Sequence, residues 1–160
     1  MAGSTKRKRA VARDPFDLDR FVQAQNRDYD TALVEIRNGR KHSHWMWYIF
    51  PQFEGLGSSA MSSRYAIKSV AEARAYLGHP VLGQRVRECA EAVLSISGGS
   101  AREIFGSPDD LKLRSSATLF AVVSPDGSVF HRILDRYFEG KQDPRTLELV
   151  GSRSALERDE

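Results

Sequence analysis

Apolar side chains recur every three or four residues along most of this chain. Leu18, Phe21 and Val22 fall on one face, and Tyr29, Ala32, Leu33 and Ile36 on the next. Leu82, Val86, Cys89, Val93 and Ile96 form a longer stripe, and Val129, Phe130, Ile133, Leu134, Tyr137 and Phe138 another. That spacing is the signature of helices with one buried face. Helix-opening residues stand in front of the stripes. Asp14-Pro15, Ser107-Pro108 and Asp143-Pro144 each place an acceptor before a proline, whose missing N–H costs nothing in a first turn. Ser69 with Glu72 and Ser100 with Glu103 have the spacing of capping boxes. Gly39, Gly78, Gly106 and Gly140 stand where helices should end. The pattern predicts helices over 15–26, 29–38, 59–67, 70–77, 80–97, 101–105, 108–123, 128–139 and 144–150. Residues 45–50 and 119–123 have strand-like composition. Neither has a hairpin partner, and a lone strand is not stable. The expected fold is all-α: one domain over 14–150, followed by a frayed polar tail over 151–160.

Composition sharpens this reading. With 160 residues, 41% of them hydrophobic, the chain can bury one core and is not a disordered polymer. No apolar run approaches the roughly eighteen residues of a membrane helix, and the basic start lacks the apolar stretch of a secretory signal. The one cysteine, Cys89, cannot form an internal disulfide. A cytoplasmic protein with no membrane association is expected. The pI of about 9.2 suggests a polyanionic partner until the charge is located. Lys6, Arg7, Lys8, Arg9 and Arg13 give residues 1–13 a charge of +5, which leaves −2 for the rest. The positive excess therefore sits in a tail expected to be disordered. Nucleic-acid contact is expected only weakly, through residues 6–13.

One segment does not read as scaffold. Both tryptophans, two of the four histidines and five aromatics fall between Gly39 and Phe53. Trp45 and Trp47, flanked by Lys41, His44 and Gln52, suit either a ligand pocket with apolar walls or a plug for the core. An indole in a pocket could stack a nucleobase-like ring. Gly55-Leu56-Gly57-Ser58-Ser59 then precedes a helix, either as an anion-binding turn or as a plain turn with an N-cap. It matches neither the P-loop nor the dinucleotide fingerprint. His42 and His44 lack a third ligand at metal-site spacing, so no metal and no cofactor is expected. Gln25 lies on the apolar face begun by Leu18, where its amide needs a partner: backbone, or a ligand. On the helix predicted at 108–123, Asp109, Lys112 and Ser116 share a face, and Asp110 lies beside them in the first turn. The helix dipole explains one acid there and leaves the rest of the cluster as candidate chemistry.

Long runs at these positions resemble a known family. They are Asp14-Pro-Phe-Asp-Leu-Asp-Arg-Phe-Val-Gln-Ala-Gln, the block from Gly39 to Ser59, Tyr65-Ala-Ile, Tyr76-Leu-Gly-His-Pro-Val-Leu-Gly, and Ile104-Phe-Gly-Ser-Pro-Asp-Asp-Leu-Lys-Leu-Arg-Ser-Ser-Ala-Thr-Leu-Phe. Over residues 14–150 the chain resembles the bacterial family of unknown function DUF 1810, often labelled calpastatin. That resemblance implies an all-α fold combining three- and four-helix bundles. The order of an aromatic proline-containing loop, a Tyr-Ala helix and a later Phe-rich helix is more loosely similar to NADAR domains. These act on N-glycosidic bonds of ADP-ribose-type compounds.

Three functions compete at this level. In the first, a nucleotide-like molecule is bound, with or without N-glycosidic hydrolysis. Gln25, Lys41, Trp45, Trp47, Gln52, Gly57, Ser59, Tyr65, Lys112 and Ser116 would then line its cleft, and Asp110 and His44 would supply acid–base chemistry. In the second, the aromatic segment docks a partner protein, which requires exposed indoles. In the third, the basic tail binds nucleic acid.

Overall fold

The computed structural model describes residues 13–159, with side chains to residue 156. Among the described residues the chain forms nine helices and no extended strand: α1 (Asp19–Arg37), α2 (Met46–Ile49), α3 (Ala60–Arg64), α4 (Val70–Gly78), α5 (Leu82–Leu94), α6 (Ala101–Phe105), α7 (Asp109–Val122), α8 (Val129–Phe138) and α9 (Pro144–Asp159). The all-α architecture is the one the apolar spacing requires. The strand-like stretch at 45–50 is a single helical turn, and 119–122 completes α7. Among the described residues the only bridge is an isolated parallel pairing of Phe53 with Ile67.

Helices α1, α5, α8 and α7 pack in series, with α4 against α5 and α9 against α7. The buried stripes of α1, α5 and α8 meet in one core around Phe21, Ile36, Leu82, Val86, Phe130 and Ile133. Phe21, Tyr76, Phe120 and Phe130 run through it in successive ring contacts with centroids 5.1–5.3 Å apart, a separation at which aromatic pairs attract.

Several boundaries differ from the sequence reading, each for a local reason. The helices expected at 15–26 and 29–38 are one helix, because the polar run Asn26-Arg27-Asp28 contains no glycine or proline to break it. Asp14 caps its entry over a longer reach than expected: its carboxylate accepts from the backbone N–H of Leu18 and of Asp19, at 2.8 and 2.9 Å. Ser107 makes no cap for α7, and the Ser107-Pro108 bond is cis. Ser100 and Glu103 form the expected reciprocal box. Ser69 accepts from Glu72, but the Glu72 carboxylate turns to the Lys68 N–H and to Arg20. The stretch expected to fray at 151–160 continues α9 to Asp159, and Arg153 reaches Glu54 at 2.8 Å. Of the basic tail, residues 1–12 lie outside the described residues.

Two arginines set the connections. Arg20 donates to the carbonyls of Phe16, Asp17, Arg64 and Ala66 and pairs with Glu72, tying the start of α1 to the segment between α3 and α4. Arg114, on α7, donates to the carbonyls of Lys141 and Gln142 and so fixes where α9 begins. Among the described residues no helix is long and apolar enough to cross a membrane.

Candidate functional site

The segment from Gly39 to Phe53 crosses the N-terminal half of α7, although some sixty residues separate them in the chain. Lys41 holds them together. Its backbone N–H donates to the Ile104 carbonyl at 2.7 Å, and its ammonium pairs with Asp109 at 2.8 Å. The other Asp109 oxygen lies 3.3 Å from the Lys112 ammonium. One carboxylate thus sits between two lysines, Lys41 almost fully buried and Lys112 partly exposed. Both ammonium groups also stand over indoles, Lys41 at 5.0 Å from the Trp45 ring centre and Lys112 at 4.8 Å from that of Trp47. At these distances the ring quadrupole attracts a cation.

Glu35 organises the base of this assembly. It sits in the buried stripe of α1 and accepts from the N–H of His42, from the N–H and hydroxyl of Ser43 and from the Trp45 indole, all at 2.6–2.9 Å. Burial alone would raise its pKa. The donors from Ser43, His42 and Trp45 overcome that and hold the carboxyl down at about 2. A charged acceptor collecting four donors pins the whole 42–45 turn. Nothing in the apolar spacing marks Glu35 except an acid in the wrong place, between Leu33 and Ile36.

Two adjoining hollows lie beyond Lys112. The larger, of about 300 Å³, is bounded by Gln52, Leu56 and Gly57, by Ser62 of α3, by Pro108, Leu111, Lys112 and Ser115 of α7, and by Asp143 and Arg145 where α9 starts. The smaller, about 60 Å³, lies between Trp47, Phe53, Tyr65 and Ser63 and shares Gln52, Gly57 and Ser62 with its neighbour. At ~30 Å³ per water the smaller one takes about two waters and no ring. The larger falls at the lower limit of small-molecule pockets, ~300 Å³. Gly57 is required at the partition, because a Cβ there would lie 2.4 Å from the Ser62 hydroxyl.

The carboxylate bordering the larger cavity is already engaged. One Asp143 oxygen accepts from the Thr146 N–H and hydroxyl and from the Ser115 hydroxyl, at 3.2, 2.5 and 3.0 Å. This is the Asp143-Pro144 helix cap foreseen from the sequence, and it carries Arg145 to the cavity edge. Arg145 itself pairs with Glu148 at 3.0 Å, both well exposed. Such a surface pair is weak and readily opened.

Against this geometry the expected site residues separate. Lys112, Gln52 and Gly57 line the larger cavity, and Trp47 and Tyr65 the smaller. Ser59 caps α3, accepting from the Ser62 N–H, and lies outside both. Lys41 supports Asp109 from beneath. Trp45 must be corrected: it is fully buried, with its indole N–H spent on Glu35, so it cannot stack a ligand. Gln25 must be corrected as well. It is buried in the core, donating to the Tyr48 backbone carbonyl and, beyond what was expected, to the Tyr76 hydroxyl, and it borders neither hollow. His44 is exposed, Asp110 has one buried oxygen without a hydrogen-bond partner, and among the described residues no hydrogen bond joins the two. Ser116 is buried with its hydroxyl unpartnered among the described residues. The sequence reading missed Ser62, Leu111, Ser115, Asp143 and Arg145. The Asp-Pro cap was the available clue to the last two.

The chain belongs to the DUF1810 family of proteins of unknown function, whose family model matches residues 15–150. It is also similar to a solved structure, the conserved hypothetical protein Rv1873 from Mycobacterium tuberculosis. The two are 51% identical, with a TM-score of 0.85, over 86% of this chain and 99% of that one. No curated protein matches the chain.

Proposed function

We propose that this protein binds a small anionic, nucleotide-like molecule in the cavity between Lys112 and Arg145. The observation that carries the reading is the cavity's charge. Two cations from separate helices border it against one carboxylate, Asp143, which keeps its charge while accepting from Thr146 and Ser115, so the lining is left with one positive charge in excess. Gln52 and Ser62 add neutral donors, and Leu56, Pro108 and Leu111 supply the apolar wall that ligand sites combine with a few polar groups. The reading stops at binding. Asp110 and His44, the candidate acid and base for N-glycosidic hydrolysis, border neither hollow. Docking a partner protein through exposed indoles has less support, since Trp45 is sealed in the core and Trp47 is half-buried.

The test is thermal shift and calorimetric titration of the full chain with ADP-ribose, NAD and AMP. Ligand at a hundred times its Kd stabilises by ~2.7 kcal/mol, which raises Tm by about 5–10 °C at this chain length. The shift should vanish in the Lys112→Ala, Arg145→Ala double variant. Absence of any shift at millimolar concentration refutes the reading.

A further inference from the structure

The same cavity carries a more specific inference, which rests on that reading. We infer that the group it recognises is a phosphoryl ester, gripped by Lys112 and Arg145, whose body lies on Leu111, Leu56 and Pro108 while Trp47 serves only to position the lysine.

The spread of the donors over the fold argues for a phosphoryl group. Lys112 arrives from α7, Arg145 from α9, Ser62 from α3 and Gln52 from the preceding loop. A carboxylate offers two oxygens in one plane, which a single guanidinium satisfies as a fork. A phosphoryl group offers three oxygens in a tetrahedral array and close to two negative charges, the better match for a cavity bordered by donors from four elements. The charge balance agrees. Among the lining side chains Lys112 and Arg145 outnumber the one carboxylate, Asp143, by one charge. Asp109 does not neutralise Lys112 fully, because it is shared with Lys41, and the pair of Arg145 with Glu148 is exposed and screened by water.

The position of the lysine argues against stacking on the indole. The Lys112 ammonium already stands over the Trp47 ring, 4.8 Å from its centre, so a planar ligand would have to displace the very cation that binds its charge. An apolar surface is available elsewhere on the rim. Leu111 is 54% exposed on a helix whose other apolar residues, apart from Val122 at its far end, are buried, and Leu56 and Pro108 border the same cavity. Trp47 is therefore a positioning residue, holding Lys112 at the cavity edge from one side as Asp109 does from the other.

Calorimetry with inorganic phosphate, phenyl phosphate and benzoate separates these roles. Phenyl phosphate should bind more tightly than phosphate, and benzoate at least tenfold more weakly than phenyl phosphate. Leu111→Ser, at an exposed site that leaves folding intact, should bring phenyl phosphate down to the affinity of phosphate. Trp47→Leu should weaken phosphate and phenyl phosphate by the same factor, roughly threefold for loss of a partly exposed cation–π contact. Trp47→Phe, which keeps a ring face, should restore most of that loss and guards against misfolding of the leucine variant. Equal affinity for benzoate and phenyl phosphate overturns the inference. So does a Trp47→Leu effect confined to phenyl phosphate, which would make the indole a stacking platform. Binding of ADP-ribose with indifference to phenyl phosphate overturns the phosphoryl assignment and leaves the anion site standing. Indifference to every one of these ligands overturns both.

Discussion

Replacing Glu35 by glutamine removes one charge and almost no volume, and should cost the protein a large part of its stability. The carboxylate accepts four hydrogen bonds in the native state, and its pKa falls from 4.5 to about 2. Each pKa unit corresponds to ~1.36 kcal/mol of preference for the charged form. The carboxylate's contribution is thus on the order of 3 kcal/mol at neutral pH, and nearer 2 where solvent reaches its edge. The amide can keep its oxygen on the three N–H donors of His42, Ser43 and Trp45 and turn its NH₂ to the Ser43 hydroxyl, which can accept, so what it loses is the charge behind those bonds. Because the folded-state pKa is depressed, the contribution is complete above about pH 4.5 and is lost as pH falls toward 2. Urea unfolding of the parent and Glu35→Gln at pH 7, 4.5 and 3 should show a gap of ~2–3 kcal/mol that narrows at the lowest pH. The variant should also lose anion affinity, since Glu35 pins the turn that carries Lys41 beneath Asp109. A gap below about 0.5 kcal/mol, the scatter of ordinary surface substitutions, would refute this account, as would a gap of constant size across the pH series.

Gln25→Leu should destabilise by ~1–3 kcal/mol, because the apolar replacement strands the buried Tyr48 carbonyl and Tyr76 hydroxyl. Chemical denaturation reads this directly, and anion binding by the folded fraction should be unchanged because Gln25 lies outside the cavity. Cys89 is buried, and desolvation pushes its thiol up to about 12. It should resist thiol reagents at pH 8 in the native protein, and its labelling should proceed at the rate of unfolding. Prompt labelling without denaturant would contradict the packing of α5 against α1.

The helical stripes and caps were legible because helix formation is governed by neighbours three or four residues away. Leu82, Val86, Cys89 and Val93 announce α5 without knowledge of its partners, and the Ser100–Glu103 box closes within its own first turn. The errors lay where local polarity resembles a break or a tail. Asn26-Arg27-Asp28 looks like a loop until α1 is seen running straight through it. The end of α9 looks like a frayed terminus until Arg153 meets Glu54 from far along the chain.

The site divided along the same line. The sequence by itself determined that the Gly39–Phe53 segment and the start of α7 hold an excess of polar and aromatic groups beyond what packing needs. It could not tell the two tryptophans apart. Their side chains are chemically identical, and only the long-range fold places Trp45 against Glu35 and Trp47 beneath Lys112. Nor could it bring Arg145 to Lys112, since that meeting depends on Arg114 anchoring the start of α9. Periodicity is a property of adjacent residues and survives in the linear chain. A cavity belongs to surfaces that meet only after folding, and tertiary packing alone decided which polar groups were spent inside the protein and which were left facing the hollow.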